Sequence, residues 1–78
     1  MKLRYLNQSE DVQVQLSTDL ALLVDMARAM VEKNERLTPG VDVIKLAFQG
    51  KILDEKLKVG NYAKEDATLQ IFKLSRNI

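Results

Sequence analysis

The 78-residue sequence contains no cysteine, no histidine and no tryptophan. Without cysteine there is no disulfide framework and no thiolate chemistry, and the lack of histidine removes nearly every zinc or haem site. An excess of one charge is also missing, because 12 basic and 11 acidic residues give a net charge of +1. Strong electrostatic attraction to nucleic acid or to a membrane surface is therefore not indicated.

Long apolar runs are absent as well. The longest, Leu20 to Val24, has five residues, whereas a membrane-spanning helix needs about 20. A chain of this length holds one small domain with one hydrophobic core. The sequence has no Gly-rich phosphate loop, no nucleophile elbow and no acid–base set. We therefore expect a soluble intracellular domain that is not an enzyme and needs no cofactor and no metal.

The first half of the chain predicts a hairpin followed by a helix. Apolar and polar residues alternate over 1–6 and again over 11–16, which predicts two strands joined by a loop of about four residues. After three possible N-caps at 17–19 the apolar period changes from 2 to 3.6. This change predicts a helix over 19–33.

The second half predicts three further strands. Alternation over 43–48, 51–53 and 68–74 indicates strands, and a short 3₁₀ or helical turn is expected in the polar stretch 54–67. The element order predicts an α+β domain with one helix on one sheet face. The predicted core is Leu3, Tyr5, Val14, Leu16, Leu20, Leu23, Ala27, Ile44, Leu46, Leu53, Val59, Leu69 and Ile71.

Two segments of the second half carry a family resemblance. Residues 45–55, KLAFQGKILDE, resemble the basic-Leu-Ile-Phe-x-Gly-Lys-x-Leu-acid-acid hairpin of ubiquitin. Residues 61–62, NY, and 67–71, ATLQI, resemble its Asp-Tyr and Ser-Thr-Leu-His-Leu segments, with one residue deleted between them. The order and length of the elements agree over the whole chain. The sequence therefore resembles the ubiquitin superfamily, of the non-conjugating type.

The resemblance implies a β-grasp fold, a mixed sheet of four to five strands packed on one helix. In this fold the first strand pairs in parallel with the last, and the third lies beside the last. The whole of 1–78 is then one ubiquitin-like domain, with its core in 1–74 and a tail over 75–78. We expect it to be a monomer and the amino-terminal piece of a longer chain.

The sequence departs from the family in two places that bear on function. Conjugating members end in Gly-Gly, because activating enzymes thread the tail through a channel that excludes side chains. Here 75–78 read SRNI, without glycine, so we expect the domain not to be conjugated. The isoleucine at the centre of the family's binding patch is replaced by Ala47.

Strand alternation also predicts an outward sheet face with an apolar centre and a rim of cations. At this position ubiquitin-like domains bind helices that carry small apolar side chains flanked by acids. The resemblance thus implies docking of ubiquitin-pathway, proteasome or chaperone partners in the cytoplasm or nucleus. From the balanced charge we expect no nucleic acid and no membrane as partners. The predicted partner-binding residues are Leu6, Lys45, Ala47, Gly50, Lys51, Gln70, Phe72 and Leu74.

Three alternatives stay open at this point. Single exposed apolar residues are ordinary on any surface, so the face need not bind anything. The chain could also be a modifier whose glycine tail is missing, or a structural adaptor held in a stable complex. An adaptor would use the helix flank formed by Leu22, Met26 and Met30, although we expect the loop 35–43 to fold over these residues.

Overall fold

The computed structural model describes residues 1–64 and 66–75. Within them, one α-helix and five strands form the fold, and the strands belong to a single sheet. In chain order the elements are β1 (Lys2–Tyr5), β2 (Gln8–Asp11), α1 (Leu20–Glu32), β3 (Asp42–Phe48), β4 (Lys51–Ile52), a 3₁₀ turn (Val59–Asn61) and β5 (Thr68–Ser75). Ser75, the first residue of the predicted tail 75–78, is the last residue of β5 and pairs with Asp42, and residues 76–78 lie outside the described residues.

The strand order across the sheet is β2-β1-β5-β3-β4. β1 and β5 run parallel, and the other neighbouring strands are antiparallel. α1 packs across one face, which we call the inner face, and the opposite face is the outer face. This is a β-grasp arrangement, so the predicted α+β fold class is confirmed.

The helix forms where the apolar period predicted it, within one residue at each end. Asp19 precedes it with an extended backbone, and the amides of Asn34 and Glu35 both donate to the carbonyl of Val31 after it. A stripe at helical spacing faces the sheet, and a helix of this length is held mainly by such packing. The buried residues of this stripe are Leu20, Leu23, Val24, Ala27, Met30 and Val31.

The predicted hairpin was wrong in register, and so was the burial expected for Val14 and Leu16. The turn is the two-residue step at Leu6 and Asn7, and β2 ends at Asp11 instead of beginning there. Val14 is half-buried and Leu16 is exposed. The reason is that the chain leaves the sheet after β2, and the carbonyl of Leu16 accepts a hydrogen bond from the Gly60 amide at 2.8 Å.

The loop after the helix is tied to the sheet by carboxylates. Glu35 accepts hydrogen bonds from the Tyr5 hydroxyl and, at 2.7 Å, from Nζ of Lys73. Asp42 accepts from the Thr38 amide at 2.7 Å and from the Ser75 hydroxyl at 2.8 Å. These contacts cap the end of the inner face where the apolar core stops.

The loop does not cover the helix flank as expected. Its residues share a depression with Arg28 and Glu32, which lie about 120° and about 80° around the helix from Leu22 at 100° per residue. Leu22 stays 52% exposed, whereas Met26 is half-buried and Met30 is buried in the core. The prediction of loop cover over this flank was therefore wrong.

Candidate docking face

The outer face is organised by strand register, because directly paired residues project to the same side of a sheet. Arg4 of β1 pairs with Gln70 of β5, which pairs with Ala47 of β3, which pairs with Ile52 of β4. We call these four residues the central row. Phe72, two residues beyond Gln70, stands next to this row.

Large apolar side chains surround the centre of this face. Ile52 is 55% exposed, Phe72 43% and Leu74 46%, while Ala47 between them is only 5% exposed. Together with neighbouring groups they form one open depression of about 600 Å³. Its lining residues are Arg4, Ala47, Gln49, Gly50, Ile52, Thr68, Gln70, Phe72 and Leu74.

A tight turn closes one side of the depression. Gln49 and Gly50 join the pair Phe48 and Lys51, and both turn residues have positive φ. This is the combination that a two-residue type I′ hairpin requires, and glycine adopts it without strain. A Cβ added at Gly50 would meet no atom within 4 Å, so the space over its backbone is open to a ligand.

Five of the eight predicted site residues line the depression, and three do not. Ala47, Gly50, Gln70, Phe72 and Leu74 line it. The strand alternation that placed Ala47, Gln70 and Phe72 on one face agrees with the observed register.

Leu6, Lys45 and Lys51 have other surroundings. Leu6 lies in the β1–β2 turn, is 69% exposed and lines a separate depression near Glu35. Nζ of Lys45 is 3.3 Å from a Glu55 carboxylate oxygen. Nζ of Lys51 lies 5.5 Å from the centroid of the Tyr62 ring, a distance at which a cation is attracted to the ring face.

Ile52 is the most exposed apolar residue of the depression, and sequence reasoning missed it. The signal was available, because Leu53 was assigned to the core and its neighbour in a strand must point the other way. Leu53 is buried. The short length of β4, two residues, left little alternation from which to assign its outer side chain.

The charged residue that lines the depression is basic. Arg4 lines it, whereas Lys2, exposed on the same face of β1, is the direct cross-strand partner of Asp11 on β2. No acidic side chain is among the described residues that line it. An anionic group on a ligand could therefore approach Arg4 without meeting a carboxylate of the lining.

Across 1–64 and 66–75 no cluster of three acidic side chains could hold a metal ion, and no helix there is long and apolar enough to cross a membrane. Comparison of the sequence with models of known families and with curated proteins gives no match.

Proposed function

We propose that this chain is a protein-interaction module of the ubiquitin-like type that docks partner proteins through the outer face. The proposal rests on one observation. Ile52, Phe72 and Leu74 line the same depression, and each of these side chains is close to half exposed. The class of partner, which comprises ubiquitin-pathway, proteasome and chaperone proteins, rests on the resemblance of residues 45–55 to ubiquitin.

The exposed apolar surface on this face is not required by the core. α1 covers the inner face, and the buried residues Ile44, Leu46 and Ile71 of the same strands pack there. Burying the exposed half of each large outer side chain against a partner would contribute roughly 1 kcal/mol. Three such side chains around one recess supply the apolar centre that protein interfaces use, with polar groups at the rim.

The arginine in the lining favours an acidic partner. Arg4 is exposed on β1 and lines the depression, and complementary charge speeds encounter and selects partners more than it adds affinity. We propose an amphipathic helix with acidic residues beside its apolar stripe as the docking element. The role needs no carboxyl-terminal Gly-Gly and no catalytic group, and partners of these classes place the chain in the cytoplasm or nucleus.

Affinity purification from the native cell tests the proposal with a matched pair of variants. Phe72→Ala removes an apolar side chain that is 43% exposed on the outer face, and Leu22→Ala removes one that is 52% exposed on the helix. We expect proteasome, chaperone or ubiquitin-pathway proteins to be recovered with the wild type and with Leu22→Ala. Recovery with Phe72→Ala should fall, while thermal unfolding shows that this variant is folded.

Two results would count against docking by the outer face. Equal recovery of the same partners by Phe72→Ala and the wild type would remove the face from the interaction. Loss of one stoichiometric partner with Leu22→Ala alone would favour the structural adaptor, which uses the exposed helix flank.

A further inference from the structure

We infer that the outer face accepts one large apolar side chain of the partner, such as leucine, in a recess whose floor is Ala47, with an acidic partner residue beside Arg4. This inference rests on the proposed function and adds the chemistry of the anchor. It differs from the expectation of small apolar side chains that the family resemblance gave.

The recess follows from the lengths of side chains in the central row. Ala47 carries a single methyl group, whereas Gln70 on one side and Ile52 on the other are its direct cross-strand partners. Neighbouring strands lie about 4.8 Å apart, so the two longer side chains flank the methyl on both sides. Phe72 closes a third side. The 5% exposure of Ala47, although it faces outward, is the result.

A large partner side chain fits this shape better than a small one. A small side chain held at the height of Ile52 and Phe72 would leave a gap above Ala47. Atoms that line such a gap lose their dispersion contacts on one side. A branched side chain of leucine size would reach the floor and contact all three walls.

Charge complementarity fixes where the acidic residue should stand. Arg4 lies in the same row as Ala47, two strands away, which is about 10 Å across the sheet. A helix rises about 1.5 Å per residue. A partner helix that lies along the row therefore places an acid four to seven residues from its anchor, within reach of the arginine side chain.

A larger side chain in place of Ala47 distinguishes a recess from a flat apolar patch. On a flat patch, Ala47→Ile adds apolar contact and strengthens binding. In a recess, the same change occupies the space that the anchor needs and weakens binding. Ala47→Val gives a smaller filling of the recess and serves as a second variant if the isoleucine perturbs the sheet.

The experiment uses two synthetic amphipathic helices that are identical except at one central position, leucine in one and alanine in the other. Both carry glutamates four and seven residues from that position. Dissociation constants are measured with the wild type, Ala47→Ile, Ala47→Val, Phe72→Ala and the control Leu22→Ala, after thermal unfolding has verified that each is folded.

The recess predicts that wild type and Leu22→Ala bind the leucine helix about tenfold or more tighter than the alanine helix. Ala47→Ile should weaken binding of the leucine helix by about tenfold, with Ala47→Val in between. Equal affinity for both helices, or tighter binding by Ala47→Ile, overturns the recess but leaves docking by the outer face in place. Binding that is unaffected by Phe72→Ala, or no binding of either helix, overturns both.

Discussion

The same strands build both faces of the sheet, but the large apolar side chains of one face are buried and those of the other are partly exposed. On β3 and β5 the inner side chains of Leu46 and Ile71 are sealed beneath α1. On the outer side of β5, Phe72 and Leu74 remain close to half exposed, and no described element packs over them. Alternation decides which face a side chain joins, and for the large apolar side chains the covering helix decides whether they are buried.

This contrast separates stability from docking. Side chains on the inner face lose nearly all contact with water on folding, so they carry the hydrophobic stabilisation of the domain. Apolar side chains on the outer face contribute little to it and keep surface available for a partner.

Truncation of adjacent residues on β5 should give very different losses of stability. Ile71→Ala removes a buried inner side chain and should lower the free energy of unfolding by about 3 kcal/mol. Phe72→Ala removes a larger but half-exposed outer side chain and should cost about 1 kcal/mol. Urea denaturation of both variants measures the difference. Similar losses would contradict the division between the faces.

The contact between the 3₁₀ turn and the segment that precedes α1 depends on Gly60. A Cβ at this position would lie 3.0 Å from Cβ of Leu16 and 3.1 Å from its carbonyl oxygen. Since that carbonyl also accepts the Gly60 amide hydrogen bond, neither chain segment can retreat freely. Gly60→Ala should therefore cost about 2 kcal/mol in a urea titration.

The matched control for Gly60→Ala is Lys56→Ala, an exposed substitution in the same segment. It should change the free energy of unfolding by no more than about 0.5 kcal/mol. A Gly60→Ala variant as stable as this control would show that the two segments are not in close contact.

The polar end of the inner face should make stability depend on acid. Hydrogen bonds from Lys73 and then from Tyr5 lower the pKa of Glu35 below its ordinary value. A carboxyl with a lowered pKa stabilises the fold above its unfolded pKa, and this stabilisation is lost as the pH falls through the folded pKa. Melting temperatures of Glu35→Gln and wild type should therefore differ near neutral pH and converge in acid.

Asp42 provides a second acid-dependent contribution. The Thr38 amide and then the Ser75 hydroxyl lower the pKa of Asp42, so Asp42→Asn should also reduce the difference between neutral and acidic melting temperatures. Melting curves of either variant that stay parallel to the wild type from neutral pH to strong acid would show that these carboxylates do not hold the loop to the sheet.

The smallest effect is expected at Leu6, which belongs to neither face. Its φ of 52° is strained for a residue with a side chain, and it is exposed in the β1–β2 turn. Leu6→Gly should stabilise the domain by about 0.5 kcal/mol without weakening binding of the leucine helix. Thermal unfolding and the same binding titration check both points. Weakened binding would return Leu6 to the docking face, where the sequence had placed it.

Much of the fold was predictable because apolar residues recur with a clear period in α1, β3 and β5. The helical stripe and the alternation of β3 and β5 identified the inner face and most of its core. β2 was missed because its four residues, Gln8–Asp11, are all polar and exposed at the edge of the sheet. A strand with no buried side gives no apolar alternation.

The sequence predicted which strand residues lie on the docking face, but not how exposed each side chain is or where it points. Alternation placed Ala47 and Phe72 on one face. The low exposure of Ala47, however, depends on its cross-strand partners Gln70 and Ile52, which the strand register determines. The orientations of Lys45 and Lys51 depend on Glu55 and Tyr62, which come from other parts of the chain. Sequence pattern assigns a face, while tertiary contacts decide where a long cationic side chain ends.

The most direct test of docking by the outer face is a map of amide chemical shifts on isotope-labelled protein as the leucine helix is added. The account predicts changes concentrated on Ala47, Gly50, Ile52, Gln70 and Phe72, which line one depression. Changes confined to α1 around Leu22, with these five amides unmoved, would contradict it.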